Sequence, residues 1–384
     1  MNYTSDNTYK QETKKSPQNI AQNIGQNKVV ESFSNYYSKL RNFYSTNTVF
    51  SRLNNVGQVL PNSWTAKCLK LPLPTATNIP VLYSTNLKFA SYANLLMCKS
   101  IWLCPFCSKK ITNFRRKELK ELIADPGLLS SMLTLTIQHS KKDSLKGLLD
   151  QLTTSLRNLK NSKKFKSHMQ EVGIIGTVRG LEIIYGENGW NAHYHIILIA
   201  NRELAGIEFN EDFAKALWAK IVRRTNGYAS KKYGLKYSPG RDNVNLYASK
   251  WGLDQELTSQ KSSHGINPFQ MLDNLTPTNI KLFQEYAAAI KGRKQLLYSK
   301  GLKKILKMAV VSDKTITEDV SKFDVIIALI TREGWTNILD KQVRGELLAV
   351  ASTGDINELF NYLSHVLTRD QFKIINEYIS QVQK

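Results

Sequence analysis

Apolar positions along this chain follow two periods, and the switch between them marks its elements. Met132-Leu-Thr-Leu-Thr-Ile137 alternates and is rich in β-branched residues, which predicts a strand. Leu148, Leu149, Leu152, Leu156 and Leu159 recur at helical spacing instead, so residues 143–169 read as helical and basic. Two more strands are predicted over 173–185 and 192–199, joined through Gly186-Glu-Asn-Gly189 as a hairpin turn. Residues 210–224 form an amphipathic helix ending in Arg223-Arg224, and a charged helix over 108–124 is stopped by Asp125-Pro126-Gly127. The order strand, helix, strand, strand, helix predicts an α+β layer: an antiparallel sheet with helices packed to one side. From about residue 275 onward the pattern reads as helices only.

Composition sets the boundaries. Residues 1–30 are rich in Asn, Gln, Ser, Thr and Lys and predict a disordered polar arm. An N-terminal segment with the cysteine cluster follows over 31–110. Its Phe33, Tyr36, Tyr37, Phe43 and Tyr44 stand among basic residues, as a short helix or a segment facing nucleic acid. The predicted sheet occupies 111–275, and 276–384 is a C-terminal all-helical module. No apolar run approaches the roughly 18 residues of a membrane span, and the N-terminus lacks the apolar core of a signal peptide. A cytoplasmic protein with no membrane partner is expected.

Charge then narrows the partner. The chain carries 53 Lys+Arg against 31 Asp+Glu, a formal net charge of +22. Residues 311–384 hold 8 basic and 11 acidic residues, so the first 310 hold 45 basic and 20 acidic ones. That excess points to nucleic acid. Arg223, Arg224, Lys231, Lys232, Tyr233, Lys236, Tyr237, Arg241 and Trp251 cluster in sequence. Cations for phosphates and rings for unpaired bases suit single-stranded DNA. Arg293–Lys304 is a second basic stretch, read as a helix that grips flanking duplex.

Candidate chemistry begins at His193 and His195. Strand side chains repeat with period two, so the two imidazoles share a face while Tyr194 points away. Glu182 lies across the predicted hairpin and completes a three-ligand site with open positions, suited to Mn²⁺, Mg²⁺ or Zn²⁺ as a Lewis acid on phosphate. Its bland alternative is a surface pair with Arg179. Tyr247 and Lys250, three apart on a predicted helix, share a face. A phenol needs activation to attack, and a nearby ammonium favours the phenolate. Tyr228, Tyr233 and Tyr237 are rival nucleophiles. Cys68, Cys98, Cys104 and Cys107 fall within one short window, and Cys104-x-x-Cys107 has knuckle spacing. A structural Zn²⁺ with Cys68 as fourth ligand is one reading, and buried apolar cysteines the other.

Taken in order, Leu133-Thr-Leu-Thr136, Arg179-Gly-Leu-Glu182 with Trp190-Asn-Ala-His193-Tyr-His195, and Tyr247-Ala-Ser-Lys250 resemble the plasmid rolling-circle replication initiators of the His-hydrophobe-His (HUH) endonuclease superfamily. Leu282-Phe-Gln-Glu-Tyr286 and Lys291-Gly-Arg-Lys-Gln-Leu-Leu-Tyr-Ser-Lys-Gly301 are similar to that family's later segment, and Cys98-x5-Cys104-Pro-Phe-Cys107 to its cysteine cluster. The resemblance runs over about residues 90–305. It implies a nicking and joining enzyme on a five-stranded antiparallel sheet, with Mn²⁺ or Mg²⁺ held by His193, His195 and Glu182. Tyr247 would attack one origin phosphodiester, leaving a 5′-phosphotyrosyl link and a free 3′-OH for a polymerase. Lys250 would orient the phosphate or the phenol. Host helicase and polymerase are the implied protein partners. Two positions depart from the family: Asn191 stands where many relatives carry a further histidine, and Asn243, one turn before Tyr247, cannot act as a base. Asp242, Asp254 and Glu256 are the carboxylates nearby. An HUH transposase or relaxase, or a non-catalytic zinc-containing DNA-binding regulator, are the alternative readings.

Overall fold

The computed structural model describes residues 48–204, 206–250 and 265–378. The predicted polar arm, the aromatic segment from Phe33 to Tyr44, Trp251, Asp254 and Glu256 lie outside these residues. In chain order the first elements are α1 (Thr48–Val59), β1 (Asn78–Ser84), β2 (Phe89–Tyr92), α2 (Pro105–Ala124), β3 (Leu128–Thr136), α3 (Leu145–Asn161) and α4 (Lys163–Glu171). Then come β4 (Ile174–Gly186), β5 (Gly189–Asn201), α5 (Glu211–Arg224), β6 (Leu235–Ser238), α6 (Arg241–Lys250), α7 (Pro277–Ala289), β7 (Leu296–Tyr298) and α8 (Leu302–Ile305). The last are α9 (Asp313–Glu318), β8 (Val325–Thr331), α10 (Arg332–Asp340), α11 (Arg344–Ala351), α12 (Ile356–Val366) and β9 (Phe372–Tyr378). They form two units. Described residues 48–76 and 94–320 make the larger one, and 77–93 with 321–378 the smaller.

The larger unit is built on a five-stranded antiparallel sheet in the order β6-β3-β5-β4-β7. β4 and β5 make a hairpin with Gly186 opposite Gly189 and a two-residue loop between. Gly189 has φ +86°, and a Cβ there would meet the Lys141 backbone at 2.9 Å, so only glycine fits the turn. Leu145, Leu148, Leu149, Leu152, Leu156 and Leu159 all bury on the inner face of α3, which Ser144 caps by accepting from the Gly147 N–H.

Helices cover both faces of the sheet, whereas the sequence predicted them on one. Leu133, Leu135, Leu181, Ile183, Tyr194, Ile196 and Leu198 pack against α3, α5 and α7. On the reverse side Met132, Val178, Ile197 and Ile199 meet Leu119, Leu122 and Ile123 of α2 with Val244 and Ala248 of α6. The pattern of β5 reports this: its first half alternates, but every residue from Ile196 to Ala200 is buried. A strand buried on both faces loses its alternation. The alternating half, which carries His193 and His195, is where the second cover stops.

Two C-terminal expectations are corrected. The all-helical module over 276–384 does not form: among the described residues it contains β7, β8 and β9. The smaller unit is an α+β body whose four-stranded antiparallel sheet has the order β2-β1-β8-β9, with α10, α11 and α12 completing it. Val325-Ile-Ile-Ala-Leu-Ile-Thr331 is too short for periodicity to separate a strand from a buried helix, and its partner β1 lies far back in sequence. Likewise Arg293–Lys304 is not one basic helix. Leu296–Tyr298 hydrogen-bonds to β4, and Gly301 at φ +85° breaks the chain before the short α8. No helix among the described residues is long and apolar enough to cross a membrane.

Candidate active site

Register, not sequence proximity, assembles the site. Glu182 stands directly opposite His193 on the β4–β5 ladder, and Gly180 opposite His195. On the other side of β5, Thr136 pairs with His193 and Thr134 with His195. Directly paired residues share a face, so Glu182, His193, His195, Thr134 and Thr136 all project to one side. Glu182 Oε2 lies 3.1 Å from His193 Nε2 and 3.0 Å from His195 Nε2. Arg179 is three residues from Glu182 and therefore on the opposite face, which removes the surface-pair alternative.

These three residues could hold a metal ion, their ligand atoms all lying within 4.8 Å of one another. Bonds of about 2.1 Å at right angles put neighbouring ligand atoms roughly 3.0 Å apart, which is the spacing of Glu182 from each imidazole. The same spacing is a hydrogen bond when Nε2 carries the proton. Thr134 Oγ1 lies 3.1 Å from His195 Nδ1. A proton on Nδ1 would donate to that hydroxyl and free the Nε2 lone pair for a metal. Burial pushes the Glu182 carboxyl up, but the hydrogen bonds from His193 and His195 outweigh it and hold the group well below the usual carboxylate range. Burial lowers His195, with His193 adding to the effect and Glu182 opposing it. The site therefore favours an ionised Glu182 and a neutral His195, the forms that bind cations. Thr134 was not singled out from the sequence, because only the β3–β5 register reveals its role.

α6 lays Tyr247 against this cluster, its ring centroid 4.5 Å from that of His195 at an interplanar angle of 40°. Val244 and Ala248 on the same helix bury into the sheet and fix its rotation. Burial and then the Glu182 charge push the Tyr247 phenol well above its ordinary value. The rival Tyr237 pairs with Leu133 and stacks on Phe209 at 4.5 Å, so it belongs to the opposite face. Tyr228 and Tyr233 are exposed on the loop before β6, 54% and 68% accessible. Lys250 ends α6, and its side chain lies outside the described residues.

The proposed DNA contacts separate by position. Lys236 is exposed and pairs with Thr134, which puts it on the histidine face. Exposed Lys231, Lys232 and Tyr233 lie on a loop tied to the end of β3, where Gly234 O accepts from Thr136 N and Tyr228 O from Gln138 N. The Lys232 ammonium sits 5.0 Å from the Tyr233 ring centroid. Arg223 and Arg224 are exposed at the end of α5, on the other side of the sheet. Arg241 instead donates from Nη2 to the carbonyls of Asp125 and Leu128, tying α6 to the turn before β3.

The four cysteines converge elsewhere in the unit. Cys68 Sγ is 3.7 Å from both Cys107 Sγ and Cys104 Sγ, and Cys98 Sγ is 3.8 Å from Cys107 Sγ. A tetrahedral Zn²⁺ with bonds of about 2.3 Å sets its sulfurs about 3.8 Å apart. The Cys107 N–H points at Cys104 Sγ and the Cys98 N–H at Cys68 Sγ, each at 3.4 Å. Burial pushes the Cys104 thiol up, while hydrogen bonds from Cys104, Cys107 and Cys68 hold Cys98 down. The donor set suits zinc, with Cys68 in the fourth position.

One family profile and several curated relatives match the chain. The sequence profile of the replication protein family matches residues 90–326. A neomycin resistance protein of Streptomyces cyanogenus is 23% identical over 203 residues, which are 45% of this chain and 42% of that protein. A Protein rep of Streptomyces lividans is 20% identical over 355 residues, covering 69% of this chain and 77% of its own length. A Protein rep of Bacillus amyloliquefaciens is 25% identical over 231 residues, 55% of this chain and 63% of its own. The chain thus spans less than two thirds of the first and third of these relatives. No solved structure matches. With more than half of its length inside the family's profile, the chain belongs to the replication protein family.

Proposed function

We propose that the chain is a plasmid rolling-circle replication initiator that nicks and rejoins single-stranded origin DNA. One observation carries the reading: a tyrosine ring rests on one imidazole of a two-histidine, one-carboxylate cluster, on the sheet face that also carries exposed Lys236. Tyr247 Oη attacks a phosphodiester phosphorus, the bond to the 3′ oxygen breaks, and a 5′-phosphotyrosyl link forms. The phenol proton is lost and the departing 3′ oxygen gains one, so the bond energy is retained for rejoining. Glu182, His193 and His195 would hold Mn²⁺ or Mg²⁺, which supplies Lewis-acid stabilisation of phosphate charge. Lys250 sits one turn from Tyr247 to orient the phosphate or the phenol. A polymerase extends the freed 3′-OH, and a helicase opens the duplex ahead of it.

The test is to incubate the protein with single-stranded fragments of its own replicon and Mn²⁺ or Mg²⁺, then seek a denaturant-resistant adduct. The reading expects an adduct that EDTA abolishes. Tight binding without any adduct would favour the non-catalytic DNA-binding regulator instead.

Two substitutions probe the parts. Glu182→Gln keeps the shape but removes the anionic ligand, so Mn²⁺ affinity by titration calorimetry should fall on the order of a hundredfold or more. Equal affinity would remove Glu182 from the ligand set. Tyr233→Ala deletes an exposed ring on the loop beside the site. Single-strand binding should weaken by about 1–3 kcal/mol, as for loss of one base-stacking platform. Fluorescence anisotropy with a short oligonucleotide reads it, and an unchanged affinity would place the strand elsewhere.

A further inference from the structure

Cations gather on the sheet face away from His193 and His195 with too little negative charge to match them. Arg179 points to that face from β4, beside Thr177 and Leu181. Its guanidinium carbon lies 4.7 Å from the Tyr194 ring centroid. Nη2 donates to the Lys294 carbonyl at 3.3 Å, while Nε is buried without a hydrogen-bond partner. Lys160, in the last turn of α3, reaches Thr177 Oγ1 at 3.5 Å. Burial and the Arg179 charge both push its ammonium below the ordinary value. Arg293 hydrogen-bonds to Thr153 of the same α3 but is satisfied: Asp150 accepts from its Nη2 and also pairs with Lys146. Among the described residues no carboxylate pairs with Lys160 or Arg179.

Two half-buried like charges that share a neighbour and lack a counter-ion repel each other, and the fold tolerates this only at a cost. An oxyanion placed between them removes the repulsion and supplies acceptors for the idle donors. A guanidinium and an ammonium together are the usual phosphate receptor. We infer that Lys160 and Arg179 bind a backbone phosphate of nucleic acid on the side of the sheet opposite the candidate active site. Exposed Lys294 extends the positive rim. The inference rests on the reading that the protein handles DNA, and gives that DNA a second contact that does not touch the reacting phosphodiester.

The test measures binding of a short fluorescent duplex without added Mn²⁺ or Mg²⁺, so that cleavage plays no part. Wild type, Lys160→Gln and Lys160→Arg are titrated over a range of salt concentrations. One lost phosphate contact should lower the slope of log K against log salt by about one and weaken binding about eightfold at 0.1 M salt. Lys160→Arg, which keeps the charge, should restore both. Unchanged affinity and slope in Lys160→Gln, with an unchanged melting temperature, would overturn the inference. So would an anion site indifferent to DNA, in which inorganic phosphate raises the melting temperature of wild type alone while duplex binding is equal in both proteins. Because no catalytic cation is added, this result and the adduct assay can fail independently.

Discussion

Tyr247→Phe should abolish the covalent protein–DNA adduct while leaving the fold intact. The ring that packs 4.5 Å from His195 is retained, so α6 keeps its seat between Val244 and Ala248. Only the hydroxyl is lost, and with it the attacking atom. The effect should be large, a fall in adduct rate of about four orders of magnitude or more, because removing the nucleophile disables the site as a unit. Geometry sharpens the expectation against the rivals: Tyr237 faces the other side of the sheet, and Tyr228 and Tyr233 are solvent-exposed loop residues. Burial and Glu182 hold the Tyr247 phenol neutral at physiological pH, so folding alone does not activate it. Adduct formation should therefore need an added divalent cation, measured as band retention under denaturing electrophoresis. Full adduct from Tyr247→Phe would move the nucleophile to one of the loop tyrosines.

A strong chelator should destabilise the larger unit severely, by removing the Zn²⁺ that we assign to its four cysteines. Cys68 precedes the point near residue 77 where the chain leaves this unit, and Cys98 follows its return near residue 94. A tetrathiolate Zn²⁺ site would join these two segments to Cys104 at the N-cap of α2 and Cys107 in its first turn. Structural zinc contributes on the order of 10 kcal/mol or more in small modules, comparable with the whole stability of a domain. Recovering even a third of that predicts a drop in melting temperature of about 10 °C when a strong chelator is added. Cys104→Ser should do the same, since it leaves the buried thiols of Cys68 and Cys107 and the half-buried Cys98 around a hole in the ligand set. Calorimetry with elemental analysis checks both, with one zinc per chain expected. Metal-free protein with an unaltered melting temperature would mean the four cysteines simply pack as apolar residues.

How much of this was legible in the sequence follows from the range of each interaction. Period-two spacing put His193 and His195 on one face, and the hairpin turn was enough to bring Glu182 across to them. Helical spacing of the α3 leucines and the Tyr247–Lys250 interval needed only local geometry. What escaped were contacts set by distant partners. Thr134 reaches His195 only through the β3–β5 register, and Arg241, read as a DNA contact, caps carbonyls of a turn more than a hundred residues earlier. Arg293 was counted with the basic surface but is bound to Asp150. β8 was hidden among helices because its partner β1 precedes it by some 240 residues. In the sequence the second layer of helices over the sheet was foreshadowed only by the unbroken apolar run from Ile196 to Ala200, which a single-face reading treats as one strand among others.

The most direct measurement is peptide mapping of the adduct. Protein linked to a single-stranded origin fragment is digested with nuclease and protease, and the modified peptide is sequenced by mass spectrometry. The account predicts a 5′-phosphorylated nucleotide on the hydroxyl of Tyr247. A nucleotide on any other residue, or none in a preparation that binds the origin, would contradict it.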